Sequence, residues 1–227
     1  MSLLTKPVKV AFVIPALNES EAISGVVMGV SFYGKAIVVD DGSTDETGKL
    51  ARTAGAIVVT HDINYGYDTA IASGLARAIA EGFDIAITVD GDGQHDPLII
   101  DSVLQEFREG ADLIVGVRDK MQRVSEMLFG GITEIFWNIS DPLCGMKGYR
   151  LSRLKAIGDL NSYLSIGTEL TIRAARSKWE IRQVRVATYE RKGISRFGSN
   201  FYANCLILRA MIFGLLWAKA YSSSENY

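Results

Sequence analysis

Cysteine, histidine and proline are all scarce in this chain. Its 227 residues include two cysteines, two histidines and four prolines. Cys144 and Cys205 form no CxxC or comparable ligand spacing. A disulfide scaffold and a structural zinc site are thereby disfavoured, and the composition suits a reducing compartment. No stretch reaches the ~20 uncharged apolar residues of a membrane span; the nearest, Ala203–Ala218, is interrupted by Arg209. The opening MSLLTKPVKVAFVIPAL lacks the long apolar run and small-residue cleavage site of a secretory leader. Neither GxGxxG nor a Walker A sequence occurs, which lowers the dinucleotide-dehydrogenase and P-loop readings.

What is present is a globular composition, 48% hydrophobic and 22% charged, which excludes a disordered chain. The length favours one large domain with a sizeable core. A mean hydropathy of +0.15 is high for a soluble protein and points to displayed apolar surface. The formal charge of -2 conceals a split. Residues 1–112 carry 7 basic and 17 acidic side chains, a balance of -10; residues 113–227 carry 17 and 9, a balance of +8. Such asymmetry points to ionic or polyanionic partners, against the plain alternative of segregated solvated faces.

The first half alternates short apolar runs with helical patterns. Val8–Ile14, Ala36–Val39, Ala56–Thr60, Ile85–Val89 and Leu113–Val117 read as strands. Helices are expected over 19–31, 44–54, 68–81 and 96–109, with Ser43 or Thr44 as a cap. That order implies βαβ units and a parallel sheet, whose ligands sit beyond the carboxyl ends of the strands. Three polar clusters fall there: Pro15–Glu19, Asp40–Ser43 and Asp90–Asp92. In the second half, 121–138, 168–177 and 201–221 read as helical, and 145–151 and 181–189 as extended.

Asp90-Gly91-Asp92 is the most informative cluster. Two carboxylates on alternate residues at a strand end can converge on one hard cation, Mg²⁺ or Mn²⁺, which neutralises a diphosphate. Turn chemistry alone is a poor account of Asp90, Asp92 and Asp96 within seven residues. Capping accounts for Ser43, Thr44 and Asp45 but not for the adjacent Asp40 and Asp41, whose repulsion needs a partner. A ribose hydroxyl or base N–H would supply one. The turn Asn64–Tyr67 before a helix containing Gly74 is weak evidence by itself.

The segments Val13–Glu19 (VIPALNE), Val38–Asp45 (VVDDGSTD) and Val89–Pro97 (VDGDGQHDP) resemble the three signature segments of family 2 inverting glycosyltransferases of the GT-A fold. The most similar subgroup is that of dolichol-phosphate mannose synthase and related polyprenyl-phosphate glycosyltransferases, and the resemblance covers roughly residues 8–200. It implies a nucleotide pocket lined by Pro15, Leu17 and Glu19, with Asp41 on base or ribose. It implies a metal on Asp90, Asp92 and Gln94, and a sugar and acceptor side formed by Asp141–Arg150. Asp68 departs from the pattern, standing where relatives often have Gly or a basic residue.

Members of the family that glycosylate a hydroxyl usually carry Glu-Asp near Glu169, the Asp acting as base. Here Leu170 follows Glu169, so that base is absent. A hydroxyl needs a base that contributes on the order of 10²–10⁴-fold, whereas a phosphate monoester is already anionic. The departure favours a phosphate nucleophile, with Glu169 left as structural or a sugar-hydroxyl acceptor. The resemblance places Arg118, Arg123, Arg191 and Arg196 on the acceptor phosphate, Arg196 replacing the usual Lys with charge kept.

The expectation is therefore an α/β chain of GT-A type, a mostly parallel sheet flanked by helices. Residues 1–200 form its catalytic domain, and 201–227 an apolar helix that is membrane-interfacial or packed on the domain. The implied reaction moves a sugar from a nucleotide-diphosphate sugar, with GDP and UDP both open, to a polyprenyl phosphate with inversion. The expected setting is cytoplasmic, peripheral to the membrane at most, with a homo-oligomer open and nucleic acid no longer favoured as a partner. A transferase acting on a hydroxyl, a nucleotidyltransferase and an inactive binding module are the competing readings.

Overall fold

The computed structural model describes residues 7–90, 98–119, 124–158, 160 and 165–186. Seven strands form one sheet in the order β3-β2-β1-β4-β6-β5-β7. They are β1 (Val10–Ala16), β2 (Lys35–Asp41), β3 (Ile57–His61), β4 (Ile85–Thr88), β5 (Leu113–Arg118), β6 (Lys147–Arg150) and β7 (Ile181–Val186). The chain divides into two compact units: Met1–Gly93 with Gly148–Leu160, and Gln94–Lys147 with Asn161–Tyr227. The mostly parallel α/β architecture matches the sequence expectation.

In the first unit, β1 pairs in parallel with both β2 and β4, and β2 with β3. All seven residues of β1 are buried, as the continuous apolar run required. Pro15 fits because β4 is paired only as far as Val13↔Thr88, so its missing N–H falls beyond that ladder. Helix α1 (Ile23–Ser31) buries Ile23, Val27 and Val30 at helical spacing. Helix α2 is Thr47–Thr53. Helix α3 (Tyr67–Ala80) packs close to the sheet at Gly74, where a Cβ would lie 2.3 Å from Val13 Cγ1.

Two helices start later than the sequence pattern indicated. Asn18 has φ 54° and residues 20–22 form a turn, so α1 begins at Ile23 rather than Glu19. α2 begins at Thr47 rather than Thr44, because Asp45 takes the Thr47 N–H at 3.0 Å while Ser43 and Thr44 bond elsewhere. A short helix, α6 (Leu151–Ile157), follows β6 directly and was not anticipated.

The second unit contains α4 (Leu98–Arg108), α5 (Val124–Trp137) and α7 (Ile166–Arg176), with β5 parallel to β7. Phe129 and Ile172 are buried together, with Trp137 and Leu143 packed against them. The expected helix over 201–221 lies outside the described residues.

Candidate active site

The parallel register of the first unit brings the sequence clusters to one edge. Ala16 is opposite Asp40, Asp41 opposite His61, and Val13 opposite Thr88. The carboxyl ends of β1, β2, β3 and β4 therefore share an edge, the ligand-binding side of such sheets. Two of the signature segments lace together there. Asn18 N–H donates to Ser43 Oγ at 3.0 Å, and Thr44 N–H donates to Asn18 Oδ1 at 2.9 Å. Glu19 N–H donates to Thr47 Oγ1 at 2.8 Å, and Ser20 N–H to Asp45 Oδ2 at 3.2 Å. The Thr47 hydroxyl holds the Asp45 carboxyl down to about 2, so Asp45 stays ionised. Pro15 is buried, Glu19 half-buried, and Leu17 36% exposed at this edge.

Asp40 and Asp41 are both buried, and strand alternation sends them to opposite faces. Asp40 Oδ1 accepts the Ser43 N–H at 3.2 Å. Asp41 Oδ1 accepts from Tyr65 N–H at 3.0 Å and from His61 Nδ1 at 2.7 Å, and Oδ2 accepts from Gly66 N–H at 2.8 Å. The partner that the sequence reading sought in a ligand is thus supplied from within the protein. His61 Nε2 lies 3.0 Å from Ser73 Oγ. Sequence reasoning passed over His61 and Ser73, and took the turn that contains Tyr65 only as weak evidence. The available signal was a titratable residue at the carboxyl end of β3, the strand next to Asp41.

Asp90 follows β4 and is half-buried. Its Oδ1 accepts from Tyr67 Oη at 3.5 Å, the long limit of a hydrogen bond. Among the described residues no cation pairs with it, so a hard oxygen donor with its charge intact stands at the edge, which fits Mg²⁺ or Mn²⁺. The other expected ligands, Asp92 and Gln94, lie outside the described residues, so no three-ligand cluster is seen among the described ones.

In the second unit, Arg118 ends β5 and its charge is already engaged. Nε donates to Asp141 Oδ2 at 2.7 Å and Nη2 to Asp141 Oδ1 at 2.9 Å, a bidentate pair with a carboxylate 1% exposed. Glu126 stands 3.6 Å from Nη2. Burial pulls the guanidinium pKa down, but Asp141 outweighs it and holds the value above its ordinary range. Glu169 is half-buried in the first turn of α7, and Leu170 after it is buried. Lys147 is buried and donates to the Cys144 carbonyl, while burial pushes the Cys144 thiol up to about 11. Arg123, Arg191 and Arg196 lie outside the described residues.

Helix α5 is apolar on both its buried and its exposed sides, burying Phe129 against Ile172. It also buries Ser125, Glu126 and Thr133 and exposes Met127, Leu128, Ile135 and Phe136, the last two by 81% and 68%. This is displayed apolar surface of the kind the hydropathy indicated.

Comparison with known proteins agrees with the geometry. The model of glycosyl transferase family 2 matches residues 11–157, a span that includes the whole laced edge. The chain belongs to that family. Among family 2 relatives, the UDP-N-acetylglucosamine–dolichyl-phosphate N-acetylglucosaminyltransferase of Methanococcus voltae is 28% identical, over 78% of this chain and 84% of its own. The undecaprenyl-phosphate mannosyltransferase of Micrococcus luteus is 29% identical, over 81% and 85%. Glucosyl-3-phosphoglycerate synthase from Mycobacterium tuberculosis, solved with Mn²⁺, UDP and phosphoglyceric acid, shares the fold. Its TM-score is 0.73 at 23% identity, covering 92% of this chain and 78% of the other. This family 2 chain thus has the GT-A architecture that its motifs implied.

Proposed function

We propose that the chain transfers a sugar, with inversion, from a nucleoside diphosphate sugar to the phosphate oxygen of a polyprenyl phosphate. The observation that carries the donor half is the convergence of residues 15–19, 40–45 and Asp90 on one carboxyl edge. In this reading Pro15, Leu17 and Glu19 line the nucleotide, Asp41 shapes the pocket on the base and ribose side, and Glu169 meets a sugar hydroxyl. Asp90, Asp92 and Gln94 hold Mg²⁺ or Mn²⁺, which when bound neutralises the leaving diphosphate. Arg123, Arg191 and Arg196 position the acceptor phosphate and balance its charge. Arg118, bound twice to Asp141, enters as a positioning residue of that segment.

Three observations support a lipid-linked phosphate acceptor. Two relatives bear names of polyprenyl-phosphate transferases. Leu170 stands where a hydroxyl acceptor would need a base. The exposed apolar residues of α5 are suited to the peripheral stay at the cytoplasmic face of a membrane that this reading calls for; among the described residues no helix is long and apolar enough to cross one. Residues 1–200 act as the catalytic part, with 201–227 as an apolar appendage.

The synthase with the same fold was solved with phosphoglyceric acid, which makes a small phosphorylated acceptor the second reading. A radiolabelled sugar-nucleotide assay with Mn²⁺ separates the two. Label is expected in the organic phase with polyprenyl phosphate and none in a product of phosphoglyceric acid; the reverse overturns the lipid reading. Asp92→Asn is expected to abolish transfer, and retention of transfer refutes the metal assignment.

A further inference from the structure

The edge of the first unit contains a hydrogen-bonded chain that the signature motifs do not include. His61 ends β3 with its side chain 10% exposed, between Asp41 on β2 and Ser73 on α3. A carboxylate only accepts, so the 2.7 Å contact places a proton on Nδ1, and Nε2 on the far side of the ring lies 3.0 Å from the Ser73 hydroxyl. The Tyr65 ring meets the imidazole edge-on, with centroids 5.3 Å apart. Beyond Asp41 the chain continues through the backbone. The Tyr65 and Gly66 N–H groups bind the same carboxylate, and Gly66, at φ 92°, leads straight into α3. The first residue of that helix is Tyr67, whose phenol reaches Asp90.

We infer that His61 is a positioning residue of the donor site. It holds the Asp41 carboxylate in the orientation that clamps residues 65 and 66, and so sets the Tyr67 phenol against Asp90. The inference rests on the reading that this edge binds a nucleoside diphosphate sugar. His61 touches neither donor nor metal; it acts at one remove, as the outer hydrogen-bond partners of metal and ligand sites do. Loss of such partners typically weakens binding by 10–100-fold.

The test uses the full chain, with UDP and GDP titrated calorimetrically in Mn²⁺ and kinetics on the preferred nucleotide sugar. In His61→Phe, nucleotide affinity is expected to fall and KM to rise about tenfold, with kcat changed about twofold or less. His61→Asn places an amide N–H close to where Nδ1 stood and is expected to restore affinity. His61→Gln reaches toward Ser73 instead and is expected to leave affinity low. A merely structural role would lower the melting temperature in all three without separating Asn from Gln in affinity. Wild-type affinity in a folded His61→Phe, or rescue by Gln but not Asn, overturns the inference. Should the Phe variant not fold, the Asn and Gln pair decides the question alone. Wild-type protein that binds neither UDP nor GDP overturns the donor-site reading and this inference together, an outcome distinct from normal wild-type binding with indifferent variants.

Discussion

Two buried carboxylates, one in each unit, are stabilised by opposite means. Asp41 in the first unit is held by two backbone N–H groups and an imidazole. Asp141 in the second is held by the Arg118 guanidinium and the Arg118 backbone N–H. Backbone N–H groups stabilise an anion without cancelling its charge, whereas a bidentate guanidinium cancels it. The edge of the first unit therefore keeps the negative field of Asp40, Asp41, Asp45 and Asp90, suited to a cation and to ribose hydroxyls. In the second unit, the sequence-predicted cation that lies among the described residues is already neutralised.

This comparison breaks most visibly at Asp141. Asp141→Ala leaves a mostly buried guanidinium without its main partner and is expected to cost about 3–5 kcal/mol in urea unfolding. The double variant Arg118→Met with Asp141→Leu is expected to recover most of that loss, because the paired charges owe their stability largely to each other. A double variant as unstable as Asp141→Ala would show that the guanidinium does more than balance Asp141. Asp41→Asn is expected to cost less, about 2 kcal/mol, since one oxygen still accepts while the new amide faces donors. Equal losses at the two positions would erase the distinction between neutral and cationic compensation.

What the sequence made legible follows the same line. β1 was readable because a both-faces-buried strand is a continuous apolar run, here from Val10, although the strand runs on through Pro15 to Ala16. The shared edge was readable because βαβ connections force parallel strands, which align their carboxyl ends. The partners of Asp41 were not readable, because they depend on the β2–β3 register and on a turn 24 and 25 residues away. The engagement of Arg118 was hidden for the same reason, its acceptor lying 23 residues further on. Helix α6 gave no signal: Arg150 precedes it without a side-chain cap, and the extended Lys147–Arg150 runs straight into it.

Tyr149 supplies the contrasting case of a buried polar group without compensation. It lies on β6 in the first unit, 1% exposed, and its hydroxyl meets no hydrogen-bond partner among the described residues. Burial alone raises its pKa above the ordinary tyrosine range, so the phenol stays neutral and forfeits its bonds to water. Replacing the orphan hydroxyl by hydrogen removes a desolvation penalty and leaves the ring packing intact. Tyr149→Phe is therefore expected to stabilise the chain by about 1 kcal/mol, the smallest change considered and the only one of favourable sign. The measurement is urea unfolding of the variant beside the wild type. A loss of stability would show that the hydroxyl has a partner, and Tyr149 would then join Asp41 among the internally satisfied groups.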